Sequence, residues 1–192
     1  MSSSTSNAAA PGAYRGWQRQ QPGVRSVQEE VEKALGRVAN HPVNLHCAGR
    51  TDAGVHASCQ IIHWETDAVR EPLNWVHGAN ANLPADISLC WARTMPEDFH
   101  ARFSAMARRY RYVIYNDPVR PAHLAHEVTW NYRPLDLERM QIAAQALVGE
   151  HDFTSYRALA CQAKSPVKKV HHLRLQRFGQ FIVLDIRANE LD

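Results

Sequence analysis

Residues 48–57 read Ala-Gly-Arg-Thr-Asp-Ala-Gly-Val-His-Ala, with two glycines bracketing an arginine and an aspartate. Glycine permits positive φ and the close approach of a ligand backbone. An aspartate on a tight loop just past a strand end stands where functional residues tend to sit. With an ordinary pKa of about 3.9, a solvent-facing carboxylate is ionised at neutral pH and available as a nucleophile. That makes Asp52 the candidate nucleophile. Arg50, two residues earlier, has the planar fork that grips a phosphate at two points. The same spacing also fits a plain Asx-turn with a solvated arginine. The loop has neither G-x-x-x-x-G-K nor G-x-G-x-x-G spacing, so it is not a standard nucleotide cradle. His56 could serve as a base, as a ligand or simply to orient the loop.

Two further stretches suggest an anionic partner. Residues 99–112 carry Arg102, Arg108, Arg109 and Arg111, with no acid and with aromatics interleaved. Arginines among aromatics suit phosphate contact together with base stacking. They equally suit a strand whose tyrosines pack and whose arginines are solvated, and both readings can hold at once. Phe153–Leu184 contains no Asp or Glu and carries Arg157, Lys164, Lys168, Lys169, Arg174 and Arg177. Each phosphate neutralised by such a group would steepen the salt dependence of binding.

These residues need elements to hold them. Ser26-x-x-Glu29 is a capping box, and Val27, Val31, Leu35 and Val38 follow at helical spacing, which predicts a helix over 26–39. A short helix is expected over 71–80. Another follows Pro134 and Asp136, with Leu137, Met140, Ala144 and Leu147 on one face and Gly149 at its close. Strands are expected at 43–47, 60–65, 87–93, 108–115, 170–177 and 180–187, the last two joined at Phe178-Gly179 as a hairpin. In 108–115, Tyr110, Tyr112 and Ile114 share one face; Arg109, Arg111, Val113 and Tyr115 share the other. The mixture predicts an α/β fold of the α+β type, a mostly antiparallel sheet flanked by helices.

Composition bounds the class. The 192 residues are 45% hydrophobic and 21% charged, with a net charge of +3. That is ordinary globular usage and excludes global disorder, collagen and a coiled coil. The longest apolar runs are a few residues and the mean hydropathy is −0.43, so no membrane span is expected. Residues 1–13 have no basic n-region and no apolar h-region; they read as a disordered tail rather than a secretory signal. Cys47, Cys59, Cys90 and Cys161 form no C-x-x-C pair, and the eleven histidines form no H-E-x-x-H. Half-buried reduced thiols in a cytoplasmic protein, with no metal, are expected.

The Gly49–Ala57 segment resembles the active-site motif of the TruA-type tRNA pseudouridine synthases. Gly16-Trp-Gln-Arg-Gln20, Asn80-Ala-Asn-Leu-Pro84, Phe99-His-Ala-Arg-Phe-Ser104, Ala107-Arg-Arg-Tyr-Arg-Tyr112 and His151-Asp-Phe-Thr-Ser155 resemble other motifs of that family, in the family's order from about residue 14 to 189. The resemblance implies isomerisation of uridine to pseudouridine at positions 38–40 of the tRNA anticodon stem-loop, by a homodimer with no metal and no organic cofactor. It puts Asp52 on the catalytic aspartate, which attacks either uracil C6 or ribose C1′. Arg50 falls on the arginine that takes the place of the flipped base, and Tyr110 on the tyrosine that stacks on the target. Arg108, Arg109, Lys168 and Lys169 are then expected along the bound tRNA.

The fold it implies is two ferredoxin-like halves: an N-terminal catalytic-loop domain over 14–105 and a C-terminal RNA-binding and catalytic domain over 106–192. Two departures from the family accompany this. Residues 1–13 stand where the family has its first strand. Where the family continues past Asn189 into a helix whose arginine pairs with the aspartate, this sequence reads Glu190-Leu191-Asp192, so the second half is expected to be incomplete. The alternative reading is a tRNA-binding remnant with impaired catalysis.

Overall fold

The computed structural model describes residues 2–7, 14–156 and 165–189. The chain divides into two compact units, Met1–Ala105 and Met106–Asp192. Among the described residues no helix is long and apolar enough to cross a membrane.

The first unit runs β1 (Ser2–Asn7), α1 (Val27–Ala39), β2 (His46–Cys47), β3 (Ala57–His63), α2 (Pro72–Asn80) and β4 (Ile87–Arg93). Its antiparallel sheet has the order β2-β3-β1-β4, which with this β-α-β-β-α-β sequence is the ferredoxin-like arrangement. Ser26 caps α1 by accepting from the Glu29 amide at 3.4 Å, and Asn40 ends it in the left-handed conformation. Val27, Val31 and Leu35 project from α1 into a core with Trp17, Ile62, Trp64, Trp75, Ala79, Ile87 and Leu89. Trp64 and Trp75 meet edge to face at 5.4 Å. Asn80 ties the end of α2 to β4, donating to the Leu89 carbonyl at 2.9 Å and accepting from its amide at 2.7 Å.

Two expectations for this unit change. Residues 2–7, expected within a disordered tail over 1–13, form β1 between β3 and β4. Composition argued for disorder because Ser and Asn bury little apolar surface. A gap flanked by two strands, however, offers backbone partners on both sides, and a ladder requires no particular side chain. The rest of that tail, residues 1 and 8–13, lies outside the described residues. The strand expected over 43–47 pairs only at His46–Cys47. Leu45 is instead held by α1, its amide donating to Glu32 at 3.2 Å and its carbonyl accepting from Gln28 at 3.4 Å.

The second unit runs β5 (Arg108–Asn116), β6 (Thr129–Asn131), α3 (Leu137–Gln145), β7 (Gly149–Asp152), β8 (Val167–Phe178) and β9 (Phe181–Ala188). Its sheet has the order β6-β5-β9-β8-β7, antiparallel except for the parallel β5–β6 pair. The run β5-β9-β8 repeats the arrangement β1-β3-β2: a strand, a helix, then a hairpin whose return strand inserts beside the first. Asp136 caps α3 by accepting from the Arg139 amide at 3.0 Å. Leu137, Met140 and Ala144 of the helix pack on Leu173, Leu175, Leu184 and Ile186. Beyond β7 the outer edge of β8 is met by amide side chains of α3: Gln141 and Gln145 donate to the Leu173 carbonyl at 3.3 and 3.0 Å, and Gln141 accepts from the Leu175 amide at 2.7 Å. They stand in for a neighbouring strand and blunt an open edge. Strands β6 and β7 were not legible in the sequence, being three and four residues of mainly polar composition.

Candidate active site

The loop between β2 and β3 is held by its backbone and exposes its side chains. At its start the Ala48 amide donates to the Ile61 carbonyl at 2.8 Å, and the buried Gln60 side chain donates to the Gly49 carbonyl. In its middle the Thr51 carbonyl accepts from the Trp17 amide at 2.9 Å. At its end the Val55 amide donates to the Asp52 carbonyl at 3.1 Å, a turn completed by Gly54 at φ +81°. Arg50, Asp52 and His56 are all exposed. Among the described residues the Asp52 carboxylate accepts no hydrogen bond and pairs with no cation. The arrangement delivers a carboxylate on a fixed backbone with its oxygens open to an incoming atom, which is what a nucleophile requires.

Next to this loop lies a group that sequence reasoning missed. His46, His63 and His100 form a cluster with ring centroids 4.5–5.2 Å apart. His63 is buried, and its Nδ1 accepts from the Ala101 amide at 3.1 Å. Burial, with His100 and His46 close by, pushes its pKa down to about 4, so it is neutral at pH 7. The His100 Nδ1 accepts from the amides of Arg102 and Phe103 at 3.2 and 3.4 Å, and its ring stacks on Phe103 at 4.3 Å. The 99–104 segment is therefore a turn pinned by two imidazoles, from which Arg102 and Phe103 project into solvent. His46 and His63 could have been paired from adjacent antiparallel strands; His100 comes from a distant loop. Among the described residues no three His, Cys, Asp or Glu side chains are disposed to hold a metal ion.

The remaining candidates lie in the second unit. Tyr110 is 36% exposed near the start of β5, on the face shared with Tyr112 and Ile114. Arg108 stands on that face too, half-buried. Arg109 and Arg111 point to the opposite face and converge on Asp185 of β9. Arg109 meets it through Nε at 2.7 Å and through Nη2 at 2.5 Å, and the Arg111 Nε at 3.1 Å. The His172 Nε2 adds a contact at 3.0 Å. The Arg109 guanidinium, then burial working against it and the other two donors, holds the Asp185 carboxyl well below the usual range. Lys168 is buried at 9% exposure, whereas its neighbour Lys169 is exposed. Arg157 and Lys164, also expected in the basic stretch, lie outside the described residues.

Asp185 stands one residue past the acid-free run, so a count of charges could not reveal its role. The hairpin offered a signal: β8–β9 pairing sets Arg174 opposite Asp185. The Arg109 contact depends on β9 lying against β5, which local sequence does not specify. The half-buried thiols expected from sequence also change, since Cys59 and Cys90 are exposed; Cys161 lies outside the described residues.

Comparison with known proteins agrees with this loop. A family model described as tRNA pseudouridine synthase matches residues 13–104 and 143–190. The chain is 70% identical over 177 residues to tRNA pseudouridine synthase A of Pseudomonas aeruginosa, covering 92% of this chain and 62% of that relative. It is 60% identical over 176 residues to the protein of the same name from Citrobacter koseri, covering 92% and 65% respectively. The chain thus spans less than two thirds of the length of these relatives. With the Gly49–Ala57 loop intact and both of its units matched, this chain belongs to the tRNA pseudouridine synthase family.

Proposed function

We propose that this chain isomerises uridine to pseudouridine in tRNA, at positions 38–40 of the anticodon stem-loop, with Asp52 as the nucleophile. The observation that carries the reading is the Asp52 loop itself: a backbone fixed at Gly49, Thr51 and Asp52 beneath a solvent-facing carboxylate. In the reaction the C1′–N1 bond breaks, the uracil turns, a C1′–C5 bond forms, the C5 proton leaves and N1 takes up a proton. Nothing is oxidised or reduced, so the chemistry calls for positioning and a nucleophile rather than a redox group. The Asp52 oxygen adds either to uracil C6 or to ribose C1′. The base must first leave the stack, at a cost of a few kcal/mol. Arg50, exposed two residues from Asp52, fills the space it vacates, and Tyr110 stacks on the extruded ring.

Residues 14–105 carry the catalytic loop and 106–192 bind RNA in this reading. Arg108, Arg109 and Lys169 line the phosphate path, with Lys168 buried behind Lys169 as a support of that strand, and the protein works as a cytoplasmic homodimer. The exposed Lys169 supports the phosphate assignment.

Tritium release from tRNA carrying 5-tritiated uridine at 38–40 tests the proposal. Turnover by the chain that disappears in Asp52→Ala is the expected result. Tight tRNA binding with no release would instead make this a binding protein and overturn the catalytic reading.

A further inference from the structure

We propose that Gly16 and Gln60 are positioning residues for Asp52, holding the loop backbone at separate points; this rests on the reading of Asp52 as the nucleophile. The two are far apart in sequence, and neither has a side chain suited to the chemistry.

Gly16 adopts φ +90°, a conformation that side-chain-bearing residues rarely take. A Cβ at this position would lie 2.7 Å from the Thr51 carbonyl oxygen, and 3.2 Å from both the Ala53 nitrogen and the Asp52 carbonyl carbon. All three are backbone atoms and cannot rotate away, so any side chain at 16 displaces the peptide of Asp52 itself. The next residue fixes the distance from the attractive side, through the 2.9 Å bond from the Trp17 amide to the same Thr51 carbonyl. Residues 16 and 17 are in turn anchored on α1. Their carbonyls accept from the amides of Val27 and Gln28 at 3.3 and 3.0 Å, first-turn donors that an α-helix leaves without internal partners. Trp17 is buried in the core at 3% exposure, so the anchor is rigid.

Gln60 holds the loop nearer its start. It lies on β3 at 7% exposure and donates its amide to the Gly49 carbonyl. Removing that donor leaves a part-buried carbonyl without its partner. Between the Gly49 hold and Asp52 only Arg50 and Thr51 intervene. A shift of about 1 Å in a reacting group can cost about 100-fold in rate.

The test uses the full chain and the variants Gly16→Ala, Gln60→Leu and Gln60→Glu, with thermal unfolding confirming that each folds. Amide hydrogen exchange reads loop protection, and tritium release reads kcat and KM. In Gly16→Ala and Gln60→Leu the Val55 amide and its loop neighbours lose about 10-fold or more in protection while the amides of α2 keep theirs. For both variants kcat falls about 10- to 100-fold with KM within about 3-fold of wild type. Gln60→Glu, isosteric but without a donor when ionised, behaves like Gln60→Leu at pH 8 and regains protection as the pH falls and its carboxyl takes up a proton. A space-filling role would not produce that rescue. If Gly16→Ala does not fold, the Gln60 pair decides. Unchanged loop protection in the folded variants overturns the proposal whatever the activity, as does a raised KM with kcat intact. Turnover surviving in Asp52→Ala would overturn the nucleophile reading alone, because the exchange data would still decide whether Gly16 and Gln60 hold the loop.

Discussion

The two units share a β-α-β-β arrangement but treat their charged side chains in opposite ways. In the first, the backbone around Asp52 is tied at three points and the carboxylate is open to solvent. In the second, Asp185 is 12% exposed at its side chain and is surrounded by Arg109, Arg111 and His172. A loop with a fixed backbone and unengaged side chains is arranged for chemistry. A strand whose charges satisfy one another is arranged to keep a sheet together. The number of donors among the described residues already committed to each aspartate distinguishes them.

Removing each carboxylate should separate the two roles. Asp52→Ala is expected to lower turnover by at least about 1,000-fold, some 4 kcal/mol in the barrier, with the unfolding temperature within about 1 °C of wild type because the side chain is exposed. A large stability loss would place Asp52 with the structural aspartate and break the comparison.

Acid titration probes the same contrast through buried groups. His63 has a folded pKa of about 4 against an ordinary 6.5, so the unfolded chain binds its proton first. The stability His63 contributes is complete above about pH 6.5 and is lost as the pH falls towards 4, by up to about 3 kcal/mol. Denaturant unfolding across that window, followed by the buried tryptophans of the first unit, should show the decline. His63→Asn, whose carbonyl can take the Ala101 amide, should flatten it. The Asp185 carboxyl is held below its ordinary value near 3.8, so its contribution is present above that pH and lost only on further acidification. The first unit should therefore weaken at a higher pH than the second.

Asp185→Asn should cost about 1–2 kcal/mol, since hydrogen bonds to a charged acceptor are lost while Arg109 and Arg111 keep much of their surface in water. It should also release two guanidinium groups and steepen the salt dependence of RNA binding, measurable by titration from 50 to 200 mM salt. An unchanged slope would leave those arginines outside any RNA contact. The smallest expected effect is at the adjacent lysines: Lys169→Ala should reduce the slope by about 1, whereas Lys168→Ala should lower stability instead, because its side chain is buried.

Local chemistry accounts for what was readable in advance. Ser26 and Glu29 announced the start of α1, Asp136 that of α3, and the alternation from Arg108 to Tyr115 sorted arginines from tyrosines onto opposite faces. The Gly49–Ala57 loop was conspicuous because two glycines, an arginine and an aspartate within six residues have few structural reasons to coincide. These are interactions between residues a few positions apart, so sequence spacing specifies them.

Long-range pairing decided the rest. Ser2–Asn7 became a strand only because β3 and β4 flank it; nothing in a serine-rich hexapeptide encodes its neighbours. Arg109 became a partner of Asp185, 76 residues away, only because β9 lies against β5. The histidine cluster needed β2, β3 and the 99–104 turn to meet. Gly16 and Gln60 met the loop of Asp52 only when the segment anchored on α1 and strand β3 came together around it. The sequence alone determined which residues could react and which elements would carry them. The tertiary structure decided which of those charges remained available, because the partners that engage or hold them come from distant parts of the chain.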